Sequence, residues 1–589
     1  MRSDFWIGRA AAAGGLALPM LVAGCVGPLD RYGGADVALR NAVVTENRRE
    51  LLALTDGEGR PVVIEVSRET SDVEARLDEY RIEELNELSG AEAYEGVSVD
   101  PGQDLAGQTE LEVVRLSLDE AVRMAVEGNL DLAVARLLPK IGAEQVTQAA
   151  AAFDAVAFAD FSNQNLKIPQ PDGTIPGLAN DINQETTSFQ TGVRQLLTTG
   201  GTVQVDTAIA RNERTPSFFA VTDFWDADIL VSLNQPLLRN FGRDVNTAQI
   251  VLARNAEADA RAQLRATLSN VLREVEEAYW NLDLARRQVL IQQRLLDRTI
   301  AERDRLQERA DFDVSPVRIT EANSRVELRK ADLIRVRAAV RDASDALKRL
   351  VNAEALPLAD ETLVLPSDSP VDSPVSFSLL DSVTTALEKR AVLEQALLAV
   401  EDARVQQRLA DNATLPLLDL TAAIGFNGID EDDPGSAYGD LFGEDFIDYI
   451  VGLAFEQPIG NRSAEALQRQ RQFEETQAVL AYRRDAQDVV LEVKNALRGV
   501  ITNYELVGAT RAARWAAADS LRSINVQEEV GVALTDEFLL DLKLNAQERL
   551  ADAEFQEAQA LANYMIAIAE MQRAMGTLVE RYGVEVGRE

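Results

Sequence analysis

The side chains that most often carry catalysis or bind metals are nearly missing from this chain. Its 589 residues include no histidine, which removes the commonest general base and the commonest transition-metal ligand. Its one cysteine, Cys25, allows neither an intrachain disulfide nor a thiolate cluster. Serine and lysine are present, but no nucleophile and base stand together in a motif that we recognise. The sequence therefore predicts a protein that is not an enzyme and that has no cofactor and no metal site.

Carboxylates dominate the charged groups. Asp and Glu total 97 against 59 Lys and Arg, which gives a formal net charge of −38 at pH 7. Because binding to phosphates requires clustered cations, this balance disfavours nucleic acid as a partner. Two explanations of the excess stay open at this stage, namely general solubility and an acidic surface or lumen.

The amino terminus is predicted to be a secretion signal. Arg2 and Arg9 precede a short apolar stretch, and the ending VAGC at 22–25 resembles the lipobox of bacterial lipoproteins. Residues 1–24 are therefore predicted to be a lipoprotein signal peptide, with lipidation at Cys25 by acyl chains such as palmitate. The alternative is an ordinary signal peptide that happens to contain a cysteine. Val26, rather than Asp, follows the cysteine, which favours the outer membrane.

Two internal repeats are predicted. The segment SLDEAV at 117–122 is echoed by SLLDSV at 378–383, and LNQPL at 233–237 is echoed by FEQPI at 455–459. Copy one is longer between these two landmarks than copy two, so it has room for an additional hairpin with a turn at Thr-Thr-Gly-Gly, residues 198–201. Whether that hairpin would join the wall of a barrel formed by the other strands is left open.

Each copy is predicted to contain a helix, a β region and two long helices. The helices carry apolar residues spaced alternately four and three apart, which is the 3.5-residue period of coiled coils. This stripe predicts rods on the order of 100 Å long. The predicted boundaries are an acidic extension of unknown role at 25–114; copy one at 115–365, with β region 153–238 and long helices 244–309 and 316–352; copy two at 366–580, with β region 414–460 and long helices 463–530 and 536–575; and a tail at 581–589. The stripe of copy one is Leu264, Leu268, Val271, Val275, Ala278, Leu282, Ala285 and Val289, and that of copy two is Val493, Leu497, Val500, Tyr504 and Val507.

This order of elements resembles the TolC-like outer membrane efflux protein family over roughly residues 115 to 580. The individual motifs are LSLDEA at 116–121, QPLLRNFG at 235–242, AYWNL at 278–282 and AMGTL at 574–578. The resemblance implies an α+β membrane protein and a homotrimer. Its three chains would share one transmembrane β-barrel, with about four strands from each, above a long periplasmic coiled-coil barrel. Nothing after the signal resembles a transmembrane helix, so β-strands would have to cross the membrane.

In that family the breaks between paired long helices lie at the periplasmic tip and meet an adaptor protein. The residues to which this resemblance assigns the tip are Asp313, Val314, Ser315, Pro316, Gly531, Val532, Ala533, Leu534 and Thr535. The alternative for Ser315 and Thr535 is that they are only helix N-caps, with Pro316 in the favoured first turn.

Carboxylates cluster near the same breaks. In a trimer they would form rings at the entrance that favour cations, although carboxylates at helix starts also complement the helix dipole. The predicted entrance carboxylates are Asp311, Asp313, Asp536, Glu537 and Asp541.

The function implied by the resemblance is a passive exit duct of a tripartite efflux or type I secretion system. Its partners would be a second and third copy of the chain, a periplasmic adaptor (membrane fusion) protein, an inner-membrane transporter and outer-membrane lipid. It would be lipid-anchored in the outer membrane of a Gram-negative bacterium and extend into the periplasm. The alternative is a periplasmic coiled-coil scaffold or adaptor lipoprotein without a pore, which would not need the β regions. The exported substrate, the transporter class, the role of residues 26–113 and the resting state of the duct stay open.

Overall fold

The computed structural model describes residues 33–52, 63–65, 67–68, 70–94, 111–169, 181–215, 222–309, 315–443, 446–530 and 536–584. The helices are α1 (Gly33–Leu52), α2 (Glu79–Ser89), α3 (Leu118–Gly128), α4 (Leu130–Ala150), α5 (Arg243–Asn246), α6 (Ala248–Glu308), α7 (Pro316–Val351), α8 (Leu379–Lys389), α9 (Ala391–Ala413), α10 (Pro434–Asp440), α11 (Arg462–Val530), α12 (Asp536–Met575) and α13 (Leu578–Arg581). The strands are β1 (Val63–Glu65), β2 (Val113–Leu116), β3 (Val156–Pro169), β4 (Asp181–Leu196), β5 (Thr202–Thr215), β6 (Asp223–Pro236), β7 (Leu363–Pro366), β8 (Ser376–Ser378), β9 (Leu417–Asp430) and β10 (Ile447–Glu456).

Two long helical hairpins, α6–α7 and α11–α12, form the rod of the molecule. Helix α6 runs for 61 residues without Pro or Gly, which at 1.5 Å per residue gives about 90 Å. The predicted stripes are largely buried: Val275 and Leu282 of α6, and Val493 and Val500 of α11, are 0% exposed. Helices α4 and α9 pack beside the rod, and α12 packs against α6 as well as α11, so both hairpins share one bundle. The coiled-coil period therefore holds the helices together, as the stripes predicted.

A single antiparallel sheet continues from the bundle. Its strand order is β10-β9-β6-β5-β4-β3, so the last strand of copy one, β6, pairs with the first strand of copy two, β9. Among the described residues this sheet has six strands, which equals the four strands implied by the resemblance plus one additional hairpin in copy one. The predicted turn at residues 198–201 joins β4 to β5 with Gly200 at φ +94, and the hairpin it closes lies within this sheet.

The described parts of the amino-terminal extension pack against the bundle. Strand β1 pairs in antiparallel fashion with β8. Arg68 crosses α11 at Gly508, where a Cβ would come within 2.9 Å of the Arg68 Cδ atom. Helix α2 and the short 3-10 turn Ala91–Tyr94 then pack on the lower part of α11 and α12, with Leu85 fully buried against Trp515 and its neighbours.

The two ends of copy one meet at mid-height on the bundle. Strand β2 pairs in parallel with β7. Beneath this pair, the Tyr279 hydroxyl donates to Asp368 (2.8 Å), and the Tyr279 ring meets Trp280 edge to face. Burial and this neighbouring carboxylate raise the pKa of Tyr279. The predicted tail joins the same region, because the Tyr582 hydroxyl donates to Glu276 (2.7 Å).

Candidate functional site

The two faces of the six-stranded sheet differ in chemistry, except near the loops, where the face described first also carries the charged residues Glu185, Arg211 and Asp223. Because side chains alternate along a strand, the pairing register places every second residue of each strand on one face. One such row runs directly across all six strands and is apolar throughout: Ala157, Val193, Val205, Val231, Ile424 and Tyr449. Tyr449, Val451, Leu453 and Phe455 of β10 on this face are between 67% and 79% exposed in the single chain. An apolar face of this size requires a partner or a lipid environment.

The opposite face is polar and mainly acidic. Its ionisable residues in the described strands are Asp160, Asp206, Asp226, Asp228, Asp419, Asp448 and Glu456, against Arg194 and Arg214. Side-chain amides hold several of these carboxylates: Asp206 accepts from Gln190 (2.7 Å) and Gln204 (2.9 Å), and Asp448 accepts from Asn427 (2.8 Å). A neutral amide leaves the charge of the carboxylate in place. The face therefore suits water and cations.

Glycine makes room for one of these carboxylates. A Cβ on Gly192 would lie 2.5 Å from the Asp206 Cβ and 2.6 Å from the Val205 carbonyl oxygen. Asp206 is consequently only 3% exposed while still hydrogen-bonded on both carboxylate oxygens.

The sheet has two open edges. Within the chain β3 pairs only with β4, and β10 pairs only with β9, among the described residues. Open edges expose rows of unpaired backbone groups, which are especially unfavourable in lipid.

Helix α10 covers the apolar face near the far end of β6 and β9. Asp433 caps this short helix by accepting from the Ser436 backbone N–H (3.0 Å). Ala437 packs on Ala227, and the Tyr438 hydroxyl lies 2.6 Å from that of Thr207.

The helix break of copy one is described only from Ser315 onward. The Ser315 hydroxyl accepts from the Val317 backbone N–H (3.3 Å) and Pro316 occupies the first turn of α7, so the predicted N-cap is confirmed. Asp311, Asp313 and Val314 lie outside the described residues, as do Cys25 and the break of copy two at 531–535 (Gly531, Val532, Ala533, Leu534 and Thr535). Asp536 and Glu537 belong to α12, but their side chains are outside the description.

Asp541 is the one predicted entrance carboxylate whose side chain is described, and it has a cationic partner. Arg325 of α7 donates to it (2.9 Å) across the two copies. Arg329 and Glu548 form a second such pair (2.9 Å), and the buried Lys543 joins Glu302 of α6 (2.8 Å) to Glu528 of α11 (2.6 Å).

The sequence reasoning missed these cations. Arg325 and Lys543 stand in no motif, and the only available signal was a basic residue close to each helix break. The pairs show that the bundle near its breaks is held together by charge as well as by apolar packing. Among the described residues, no helix is both long and apolar enough to cross a membrane.

Comparisons with known proteins agree with this architecture. Residues 383–577 match the sequence model of the outer membrane efflux protein family. The outer membrane protein TolC of Escherichia coli (strain K12) is 31% identical over 205 residues, which cover 33% of this chain and 39% of that protein. TolC of Vibrio cholerae is 24% identical over 341 residues, covering 56% of this chain and 74% of that protein. The match to the first of these relatives thus spans less than half of its length.

Solved structures extend the likeness to most of the chain. The outer-membrane channel OprN aligns with a TM-score of 0.55 at 16% identity, over 78% of this chain and 89% of that one. The Campylobacter jejuni outer membrane channel CmeC aligns with a TM-score of 0.56 at 14% identity, over 82% and 92%. At these identities the likeness establishes the fold.

The fold is therefore that of the outer-membrane efflux channels. The family match, the curated relatives and the solved structures together confirm the resemblance of this chain to the TolC-like outer membrane efflux protein family.

Proposed function

We propose that the chain is a channel of the outer membrane, the exit duct of an efflux or type I secretion system. In this proposal three copies form one passive conduit, and its energy comes from an inner-membrane transporter reached through a periplasmic adaptor. The observation that carries the proposal is the six-stranded sheet, with one apolar face, one acidic face and two open edges.

The directions of the strands allow the sheets of several copies to close into one barrel. Each neighbour in the sheet is antiparallel, so with six strands the first and last run in opposite directions. The β10 edge of one copy can therefore pair with the β3 edge of the next and continue the antiparallel pattern. One copy has too few strands for a closed membrane barrel, whereas three copies give about eighteen, a size at which barrels enclose an aqueous channel.

Strand length and polarity fit a membrane wall. A tilted strand needs about 9–11 residues to cross the hydrocarbon layer. The six strands are between 10 and 16 residues long. The apolar row would face lipid, and the acidic face would line the water-filled interior. Lipidation at Cys25 would add a second attachment to the same membrane.

The helix breaks form the opposite end of the duct in this proposal. The breaks at 310–315 and 531–535 would meet the adaptor, and the carboxylates beside them would line the entrance. Asp541 would contribute less negative potential than an unpaired carboxylate, because Arg325 lies 2.9 Å away. The Arg325–Asp541 pair would also resist separation of the two helical hairpins at this end.

Three measurements test the proposal. The stoichiometry of the purified, full-length protein should be three by native mass spectrometry, and the sample should show heat-modifiable migration on gels, as closed barrels do. In a planar bilayer it should conduct ions with preference for cations. The Asp226→Asn/Asp228→Asn double variant should reduce that preference, whereas Arg335→Gln on the outside of α7 should not.

A pore-free scaffold is the alternative that these measurements would reveal. It would give a folded helical protein with no heat-modifiable form and no conductance in any condition. That result would overturn the proposal.

A further inference from the structure

A cavity lies at mid-height on the bundle, between the amino-terminal extension and the long helices. Its volume is about 620 Å³, which is within the range of small-molecule sites. Both copies and the extension line it: α2 and the 91–94 turn on one side, α6 on another, and α11 with α12 on the third. Leu290, Ile291 and Leu561 supply apolar wall.

Arginines converge in this cavity, although the whole chain is strongly acidic. Arg115, Arg286, Arg287, Arg511 and Arg514 line it, against the carboxylates Asp372, Glu554 and Glu557. Some of these arginines are structural. Arg514 donates to Glu557 of α12 and to Ser89 and Asn86 of α2, so it holds the extension to the bundle. Arg511 donates to Glu557 and Asp372.

The other three arginines keep donors to spare. Asp283, whose side chain is 2% exposed, holds both Arg286 (2.8 Å) and Arg287 (2.7 Å) through one carboxylate. Both are oriented by that carboxylate, and the Nη1 of Arg286 and both Nη atoms of Arg287 donate to no group in the described part of the chain. Arg115 on β2 is exposed and makes no hydrogen bond or ion pair with any described residue.

A second observation indicates that the cavity is incomplete as it stands. Glu554 on its wall is 5% exposed; its Oε2 accepts from the Tyr94 hydroxyl (2.6 Å), but its Oε1 has no hydrogen-bond partner among the described residues. A buried polar atom without a partner is unfavourable, and a bound molecule or water can supply the missing donor.

We propose that this cavity binds a small molecule bearing an oxyanion, held by Arg115 together with the free N–H groups of Arg286 and Arg287. Guanidinium groups fit planar carboxylates and phosphates through paired, charge-assisted hydrogen bonds. The ligand class is a carboxylate-bearing peptide or a phosphate ester of modest size. The apolar wall would accommodate its uncharged part.

Calorimetric titration of the purified full-length protein tests this, with inorganic phosphate in one arm and the dipeptide Glu-Glu in the other, at low ionic strength. We expect saturable binding of at least one probe in the millimolar range or tighter. The probe that binds more tightly shows whether the ligand presents a phosphate or a carboxylate. Arg115→Gln should weaken that binding by about tenfold, because charge-assisted hydrogen bonds are lost. Arg335→Gln, an arginine on α7 that is 74% exposed, should leave it unchanged.

A second readout does not depend on heat release. Phenylglyoxal modifies accessible guanidinium groups, and mass spectrometry can follow its reaction at Arg115. The bound probe should slow labelling of Arg115 several-fold and leave Arg335 labelling unaltered. Absence of binding by both probes, or equal binding by the Arg115→Gln and unchanged proteins, would overturn the inference. Neither measurement requires a pore, so the result is independent of the proposed channel function.

Discussion

The two copies in this chain agree closely in their rods and differ in their strands. Helices α6 and α7 of copy one have 61 and 36 residues, and α11 and α12 of copy two have 69 and 40. Copy one, however, places four strands in the sheet, whereas copy two places two. Helices that pack along their whole length must match their neighbours turn by turn. An antiparallel sheet accepts a further hairpin without changing the direction of its edge strands. The width of the sheet can therefore change while the bundle below it stays the same.

The largest expected effect is a narrower channel, produced by giving copy one the same number of strands as copy two. Deletion of β4 and β5 would leave β3 and β6 as a hairpin and reduce the proposed barrel from about eighteen strands to twelve. Because barrel diameter grows with strand number, the cross-section should fall to roughly half. The size cut-off for polyethylene glycols entering from the sheet side in bilayer recordings measures this.

A matched control for that deletion is removal of α10 (Pro434–Asp440), which shortens copy two without removing a strand. The size cut-off of this control variant for polyethylene glycols should not fall. An unchanged cut-off after loss of β4 and β5 would show that the additional hairpin does not belong to the channel wall.

A second pair of variants compares one glycine from each copy. Gly192→Ala would place a Cβ 2.5 Å from the Asp206 Cβ, whereas the nearest atoms to a Cβ on Gly425 are 3.7 Å away. We expect Gly192→Ala to destabilise the sheet by about 1–3 kcal/mol, as other overpacked sites are destabilised, and Gly425→Ala to change it little. The temperature at which the heat-modifiable form disappears reports this difference. Equal temperatures for the two variants would contradict the close packing at Asp206.

The extension makes many of its polar contacts with copy two, and Asn86→Ala tests one of them. Asn86 accepts from Arg514 (2.9 Å) and from the Trp515 indole N–H (2.8 Å). Its loss would leave buried donors unsatisfied, at a cost of about 1–3 kcal/mol. Hydrogen exchange should accelerate in α2 and in α11 around Trp515. Asn503→Ala, which removes only a bond to the Gly499 carbonyl within α11, serves as the control.

The smallest effect concerns a carboxylate buried in copy one. Glu276 of α6 is 1% exposed, and burial raises its pKa above the ordinary value of 4.5. The folded protein therefore keeps this proton at pH values where the unfolded chain has lost it. The stabilising effect of protonated Glu276 is complete below the unfolded pKa and is lost as the pH rises through the folded one.

Glu276→Gln should remove this dependence while retaining an acceptor for Tyr582. Thermal melts from pH 4.5 to 8 should show the unchanged protein losing stability relative to the variant, by about 1.4 kcal/mol for each unit between the two pKa values. Glu274→Gln, at a side chain that is 43% exposed, should show no such trend. A pH-independent difference would contradict burial as the cause.

The sequence was most informative where the signal is local. The stripe from Leu264 to Val289 and the cap at Ser315 depend on neighbouring residues, and the helices that they predicted lie close to those observed. The six-stranded sheet could not be derived in the same way. The length of copy one indicated a hairpin, but the joining of both copies into one sheet depends on pairings such as Val231 with Ile424, far apart along the chain.

The candidate sites also depend on contacts between residues that are far apart in the sequence. The partner of Asp541 is Arg325, and that of Glu554 is Tyr94, and both pairs join segments separated by hundreds of residues. No periodicity links such residues, since each pair is created by the packing of one helical hairpin or of the extension on another. The extension was assigned no role from sequence for this reason, because its contacts are almost all with distant parts of the chain.

The two unpaired edge strands have a consequence for assembly kinetics. In the proposed trimer, a dimer of chains would still expose one β3 edge and one β10 edge, so it would gain only part of the stability of the complete ring. Formation of the conducting species should therefore depend steeply on protein concentration, with little accumulation of dimers. Its dissociation should be slow by comparison, because two of the three seams must break before any chain can leave.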